Sequence, residues 1–138
     1  MENLFDVFAL EAMDYFGTEA THEYYRRLRE ERRLCATKCA ACGALAWPPR
    51  EFCPACHAGS MAWVEIGEGA TLYAFTTQRR SLRFAKPDVI GLVDLPGLGR
   101  ILTRIGAPLD ALRIGMAMRF EPIDVNEKLV LHQFVPVG

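Results

Sequence analysis

The sequence lacks several features that would assign it to a common class of protein. It contains no apolar run that approaches the roughly 18 residues of a membrane span. No signal-like segment, with a basic start and a long apolar run, precedes its cysteines. The net charge is −1, so the chain has no overall positive field of the kind that draws proteins to nucleic acid. We therefore expect neither a membrane protein nor a typical nucleic-acid-binding protein.

Residues that could form a catalytic centre are also scarce. The histidines, His22, His57 and His132, are scattered along the chain, and no serine has a neighbour that would activate it. A nucleophile needs a base and an orienting acid within reach, and the sequence offers no such set. It therefore predicts no catalysis by this chain alone.

Four of the five cysteines form two knuckles, and their spacing is the strongest chemical signal in the chain. Cys39 and Cys42 make the first pair, Cys53 and Cys56 the second, with two residues inside each pair. This spacing lets each turn point two sulfurs at one ion, and two such turns complete a tetrahedron at roughly 2.3 Å per bond. Since protein would fill every position, we predict a structural zinc ion without an open site for substrate.

Two other interpretations of the four cysteines stay open. Disulfides are disfavoured by the odd cysteine count and by the missing export signal. Iron in a rubredoxin-like site is the second alternative, because sulfur ligation alone does not select the metal. Cys35 is expected to be a buried spectator thiol, the alternative being a reactive one. Reduced thiols, no export signal and no span together predict a cytoplasmic protein.

Hydrophobic periodicity divides the chain into three parts. Residues 1–34 are predicted to form two helices, one from Met1 to Phe16 and one from about Thr18 to Arg33. The first has so many aromatic residues that we expect it either to dock on a partner or to pack within the chain. Residues 35–64 form the cysteine ribbon, and residues 65–138 change to a strand pattern.

The third part predicts a five-stranded barrel. A short helical piece, Pro108–Arg113, falls between the third and fourth strands, which is the order of elements in an OB-fold, a partly open Greek-key barrel. The fold class is therefore mainly β, with N-terminal α-helices, a rubredoxin-like zinc ribbon and an OB-fold barrel. The five predicted strands are Thr71–Thr76, Val89–Leu95, Arg100–Ile105, Met116–Pro122 and Lys128–Val135.

The loop between the first two barrel strands is a candidate binding element. It is long, runs from Gln78 to Pro87, and lies where OB-folds commonly contact ligands. The alternative is a solvated loop without a ligand. Its candidate contact residues are four cations and one aromatic residue: Arg79, Arg80, Arg83, Phe84 and Lys86.

The order of helices, four-cysteine ribbon and barrel resembles the zinc-ribbon and OB-fold family of acyl-CoA-associated proteins, long classed as a domain of unknown function. The resemblance covers about residues 22 to 136, and His57 replaces the glycine usual after the second knuckle. The matching motifs are Tyr24-Tyr-Arg-Arg-Leu28 with Leu34, Cys39-Ala-Ala-Cys-Gly43, Trp47-Pro-Pro-Arg50, Cys53-Pro-Ala-Cys56, Trp63-Val-Glu65, Gly69-Ala-Thr-Leu-Tyr-Ala-Phe-Thr76 and Leu112-Arg-Ile-Gly115.

The resemblance implies a small partner subunit of a thiolase-fold enzyme, such as an acyl-CoA thiolase, an acyltransferase or an aldolase. Such a subunit would bind the CoA portion of an acyl-CoA and complete or gate the substrate tunnel. The loop cations suit CoA phosphates, and Trp47 with Arg50 forms a second candidate contact. The alternative function is a single-stranded nucleic-acid module, because zinc ribbons and OB barrels also bind such strands. The overall acidity counts against it.

Overall fold

The computed structural model describes residues 18–80, 88–125, 127 and 129–138. Helix α1 spans Glu19–Arg26, and the side chain of Thr18 caps it by accepting the backbone N–H of Thr21 at 3.1 Å. A wider π-helical turn continues it over Arg27–Glu31. The turn ends where Arg32 adopts a left-handed conformation at φ +58°. The helix predicted for residues 1–16 lies outside the described residues.

The cysteine ribbon is a three-stranded antiparallel sheet. Its strands are β1 (Cys35–Cys39), β2 (Leu45–Ala46) and β3 (Met61–Glu65), in the order β2-β1-β3. The register pairs Thr37 with Trp63 and with Ala46. Cys39, the last residue of β1, begins the first knuckle, and the second knuckle lies in the connection between β2 and β3.

Five strands close into a barrel, which confirms the predicted fold class. The barrel strands are β4 (Ala70–Gln78), β5 (Asp88–Leu95), β6 (Gly99–Ile105), β7 (Ala117–Phe120) and β10 (Gln133–Pro136). They follow the order β10-β6-β5-β4-β7, and β10 also pairs with β7, so the barrel is closed, not partly open as the sequence suggested. β10 runs parallel to β6, and the other pairings are antiparallel.

The last predicted strand is divided in two. β9 (Val130–Leu131) pairs with β8 (Ile123–Asp124) in a small hairpin, and only the following segment enters the barrel as β10. The predicted helical piece after Pro108 is a single 3₁₀ turn over Leu109–Ala111. The sequence pattern marked both regions correctly but did not show that His132 separates two pairings.

The described residues share one main hydrophobic core that sits inside the barrel. Phe134, Leu72, Val93 and Ile105 are at most 1% exposed. Leu28, from the helical turn, is fully buried in the same cluster. The helix therefore packs on the barrel as well as on the ribbon. No helix among the described residues is long and apolar enough to cross a membrane.

Candidate metal centre and adjoining surfaces

The four knuckle sulfurs converge on one point at the end of the ribbon. The Sγ atoms of Cys39 and Cys56 lie 3.6 Å apart, those of Cys42 and Cys53 lie 3.5 Å apart, and all four lie within 4.8 Å of one another. A tetrahedral zinc ion with bonds of about 2.3 Å requires sulfur separations of about 3.8 Å. The donor set therefore fits a four-thiolate ion with no open coordination position.

Backbone N–H groups of the knuckles favour the thiolate form. The N–H of Cys56 donates to the Sγ of Cys53 at 3.5 Å, and with a second donor from Ala55 it lowers the pKa of that thiol to about 6. The N–H of Cys42 similarly donates to Cys39 and lowers its pKa. Backbone donors also act on Cys42 and Cys56, but hydrogen bonding among the four thiols outweighs them and raises the pKa of these two. Because a metal ligand must be deprotonated, the backbone bonds favour ion binding most directly at Cys39 and Cys53.

Both knuckles make the same turn although their sequences differ after the second cysteine. Gly43 has φ +77° and His57 has φ +66°, and each donates its N–H to the carbonyl of the first cysteine of its knuckle at 2.9 Å. A left-handed histidine costs little compared with a β-branched residue. The replacement of glycine by His57 is therefore accommodated without a change of turn.

Cys35 lies in β1 outside the group of four sulfurs. It is 2% exposed, and burial raises the pKa of its thiol, partly offset by the neighbouring Arg27 guanidinium. A buried thiol with a raised pKa is poorly nucleophilic. This environment agrees with a spectator role.

The candidate loop is described only at its two ends. Arg79 and Arg80 follow β4 and are exposed. Arg83, Phe84 and Lys86 lie outside the described residues. The proposed contact between this loop and CoA therefore stays a prediction.

Trp47 and Arg50 occupy different surroundings. Trp47 packs edge-on against Tyr24 and His132, with ring centroids 6.3 and 5.2 Å away, so it joins helix, ribbon and barrel. Arg50 is exposed and lines a cleft of about 550 Å³, whose lining among the described residues does not include Trp47. The backbone N–H of Arg50 donates to the Thr37 hydroxyl at 3.0 Å. The main role of Trp47 is therefore packing, at the place where helix, ribbon and barrel meet.

A buried ion pair joins Asp88, at the start of β5, to Arg104 of β6. Asp88 is 7% exposed, and its Oδ1 lies 2.9 Å from the Nε of Arg104, whose guanidinium also donates to Gln133. Burial raises the pKa of Asp88, while Arg104 opposes that shift. The pair fixes the start of β5, the strand to which the candidate loop returns. Only the strand register brings these residues together, and no local motif would have revealed them.

Comparison with known families gives two consecutive matches along this chain. The model of the ChsH2 rubredoxin-like zinc ribbon domain matches residues 26–62. The model of the ChsH2 C-terminal OB-fold domain matches residues 63–121. The matched segments contain the whole ribbon and the first four barrel strands.

Two solved structures are similar to the chain. One, described as Ltp2-ChsH2(DUF35) aldolase, has a TM-score of 0.72 and 27% identity, and the match covers 87% of this chain and 96% of that chain. The other is a DUF35-family protein of unknown function from Sulfolobus solfataricus, with a TM-score of 0.63, 20% identity and coverage of 94% and 95%. At that identity the second match shows the fold alone.

A curated relative is longer than this chain. It comes from Thermomonospora curvata, is described as a probable enoyl-CoA hydratase alpha subunit, and is 32% identical over 112 residues. The match covers 78% of this chain and 34% of the relative, so the chain spans about a third of its length.

Proposed function

Because the chain belongs to the ChsH2 family of zinc-ribbon and OB-fold proteins, we propose that it is a non-catalytic accessory subunit of a thiolase-fold enzyme. In this role it binds the CoA portion of an acyl-CoA and completes or gates the substrate tunnel of an acyl-CoA thiolase, an acyltransferase or an aldolase. The observation that carries the proposal is the match to a chain of the Ltp2-ChsH2(DUF35) aldolase over 96% of that chain.

The metal centre is assigned a structural part in this function. Cys39, Cys42, Cys53 and Cys56 would hold one zinc ion, which supplies cross-linking of the two knuckles and no Lewis-acid chemistry toward substrate. The ribbon buries few large side chains, so ligation compensates for packing that the ribbon lacks. Reduced thiolates as ligands also support a cytoplasmic location.

Binding of the CoA ester is assigned to the loop after β4. Arg79 and Arg80 are exposed at its start, and Arg83, Phe84 and Lys86 follow in the sequence. Guanidinium groups donate paired hydrogen bonds to phosphate oxygens, which suits the anionic end of CoA. On the ribbon, the exposed Arg50 supplies a second cationic contact point besides the loop, and Trp47 holds the segment that leads to it.

A second candidate partner is an enoyl-CoA hydratase. The Thermomonospora curvata relative, described as a probable alpha subunit of that enzyme, supports it at 32% identity. Both candidates have a CoA ester as ligand and differ in the catalytic fold that this chain would accompany. A single-stranded nucleic-acid module has less support, because the net charge is −1.

The proposal is tested by reconstitution with each candidate catalytic partner. The chain is coexpressed with a thiolase-fold protein and, separately, with an enoyl-CoA hydratase beta subunit. We expect a salt-resistant complex and acyl-CoA turnover only with the first. Turnover by the isolated chain would contradict an accessory role, and a complex only with the second would replace the thiolase-fold partner.

Loop variants test the assignment of the CoA site in the same complex. Each charge-assisted contact contributes about 1.5 to 3 kcal/mol, so replacing Arg79 and Arg80 by alanine should raise KM for the acyl-CoA tens-fold or more, with kcat largely kept. Arg113→Ala is the matched control, since Arg113 is exposed and lies outside the loop. An unchanged KM in the double variant would show that the loop is merely solvated.

A further inference from the structure

Strand β3 lies at the edge of the ribbon sheet. Two hydrogen bonds just beyond its ends show which backbone groups of β3 face β1. The Ile66 N–H donates to the Leu34 carbonyl, and the Ala40 N–H donates to the Ser60 carbonyl, both at 2.8 Å. In an antiparallel ladder, only every second residue exchanges hydrogen bonds with a given neighbour. The even-numbered residues of β3 therefore bond to β1, and the backbone groups of its odd-numbered residues point away from the sheet.

These outward groups belong to Met61, Trp63 and Glu65. Within the described parts of the chain, none of their backbone N–H or carbonyl groups has a hydrogen-bond partner. Natural sheets usually protect such an edge with lysine, proline or a bulge. β3 contains no lysine, proline or bulge, its one charged residue, Glu65, stands at its last position, and its five residues are half-buried or exposed. Among the described residues nothing pairs with this edge, which therefore offers a regular ladder for another strand.

A cleft lies on each face of the sheet beside this edge. Side chains alternate along a strand, so Met61 and Trp63 face one side and Val64 faces the other. The first cleft, of about 550 Å³, is lined by Met61 and Trp63, with Ala20 of α1 across from them. The second, of about 420 Å³, is lined by Val64 together with Lys38 and the turn between β5 and β6. A strand added to β3 would direct alternate side chains into the two clefts.

The two clefts differ in chemistry. The first contains the carboxylates of Glu19 and Glu51, which form no ion pair with any described residue, and one cation, Arg50. Glu23 also lines it but is paired with two arginines of the helix. The second cleft is lined mainly by apolar side chains, together with the charged Lys38, Glu65 and Glu68. The apolar residues are Leu45, Val64, Ile66, Leu95 and Pro96. The first cleft suits basic side chains and the second suits apolar ones.

We propose that the β3 edge is the docking site for an extended segment of a partner protein in which basic residues alternate with β-branched residues. The partner strand hydrogen-bonds to the outward groups of Met61, Trp63 and Glu65. Its basic side chains meet Glu19 and Glu51, and its apolar side chains pack on Val64. Backbone bonds supply affinity and the two clefts supply specificity, as in strand addition generally. This interaction does not depend on which enzyme the chain accompanies.

The direct probe is an acetylated seven-residue peptide that alternates lysine and valine, added to the zinc-loaded full chain labelled with ¹⁵N. Amide exchange is followed by NMR. At saturation we expect exchange of the Met61, Trp63 and Glu65 amides to slow at least tenfold. The Ala62 and Val64 amides are already bonded to β1 and should change little.

Two matched peptides separate strand addition from charge attraction and from nonspecific burial. A glutamate and valine peptide should bind at least tenfold more weakly, because it meets Glu19 and Glu51. A lysine and valine peptide with alternate backbone nitrogens methylated cannot form the ladder and should give no protection. Binding of either control peptide as tightly as the lysine and valine peptide would overturn the proposal, as would protection that ignores the alternation along β3.

Variants of the chain give an independent check. Met61→Pro removes one outward N–H at the first position of the strand, where proline is tolerated, while Met61→Ala keeps it. We expect the proline variant to bind the lysine and valine peptide at least tenfold more weakly and the alanine variant within threefold of the parent. Zinc content and slow exchange at Val64 report that the ribbon is intact. Equal affinity of the two variants would contradict docking at this edge.

Discussion

The ribbon and the barrel of this chain offset the chain entropy lost on folding in different ways. In the ribbon, the residues that are at most 5% exposed are small: Cys35, Ala36, Thr37, Cys39, Ala46 and Cys53. In the barrel they include Phe134 and Leu72. The barrel offsets its lost chain entropy by burying apolar area, and the ribbon needs cross-links through a metal. Neighbouring parts of one chain should therefore fail under different perturbations.

The largest expected effect breaks the ribbon. Cys53→Ser should abolish zinc binding and unfold the ribbon, because metal ligation in small zinc modules contributes about 10 to 16 kcal/mol. Cys35→Ser is the control and should retain one zinc per chain, since Cys35 lies outside the four sulfurs. Metal analysis of the purified variants measures this. Zinc loss in Cys35→Ser with retention in Cys53→Ser would reverse the assignment.

The next largest expected effect is a loss of barrel stability that leaves the ribbon intact. Phe134 is fully buried, and Phe134→Ala should lower the free energy of unfolding by about 3 to 5 kcal/mol while zinc content stays the same. Leu102→Ala, on the same barrel at a side chain that is 60% exposed, should change it by less than about 0.5 kcal/mol. Urea unfolding measures both. Zinc loss from folded Phe134→Ala would show that the two regions are not separable.

A smaller effect sharpens the comparison at the joint between the two regions. Trp47 touches both Tyr24 and His132, so Trp47→Ala should cost about 2 kcal/mol and separate the two unfolding transitions. Thiolate absorption of the cobalt-substituted chain follows the ribbon, and circular dichroism follows the barrel. Phe52→Ala, at an exposed ribbon residue, is the control. Coincident transitions in Trp47→Ala would mean that Trp47 does not couple the regions.

The smallest effect concerns a surface ion pair between Arg32, at the end of the helical turn, and Asp124 of the β8–β9 hairpin. The Arg32 guanidinium holds Asp124 by two hydrogen bonds, of 2.6 and 2.9 Å, and lowers its pKa below the ordinary value of 3.8. A carboxyl group whose pKa is lowered by folding stabilises the fold at pH values above its ordinary pKa. This stabilisation is lost as the pH falls below the ordinary pKa. Both side chains are largely exposed, so the gain is under about 1 kcal/mol.

Asp124→Asn measures this contribution. We expect it to be less stable than the parent at pH 7, with the difference shrinking as the pH falls below the ordinary pKa of an aspartate. Asp110→Asn is the control, because Asp110 is exposed and has no ion pair with a described residue. A difference that stays constant from pH 7 to pH 3 would contradict a role for the ionised pair.

The sequence predicted the parts of the molecule that depend on local pattern. The knuckle spacing brought four sulfurs together because each turn is closed by bonds within five residues. The alternation of side chains along each strand is also a local pattern, so the sequence predicted the barrel strands. The pairing of Asp88 with Arg104 and the packing of Trp47 on His132 depend on register between distant strands, which no local pattern encodes. Both clefts beside β3 also arise only from tertiary packing.

The candidate site also has one part that local pattern predicts and one part that it does not. Its metal-binding half consists of local turns and was predictable in full. Its ligand-binding half was predicted from charge in one loop, and Arg79 and Arg80 at the start of that loop are exposed as such a role requires. The loop assignment stays a prediction, because exposure permits contact with CoA phosphates without specifying it.

The closeness of the four cysteines along the chain has a consequence for biosynthesis. The sulfurs of Cys39 and Cys56 are only 17 positions apart, whereas the barrel closes only when β10, at the end of the described chain, meets β6 and β7. Chains emerge from the ribosome starting at the N-terminus, and nonlocal strand pairing is slow. The ribbon can therefore capture its ion while the barrel is still being translated, so that a preformed metal knuckle is available as a platform before the last strand arrives.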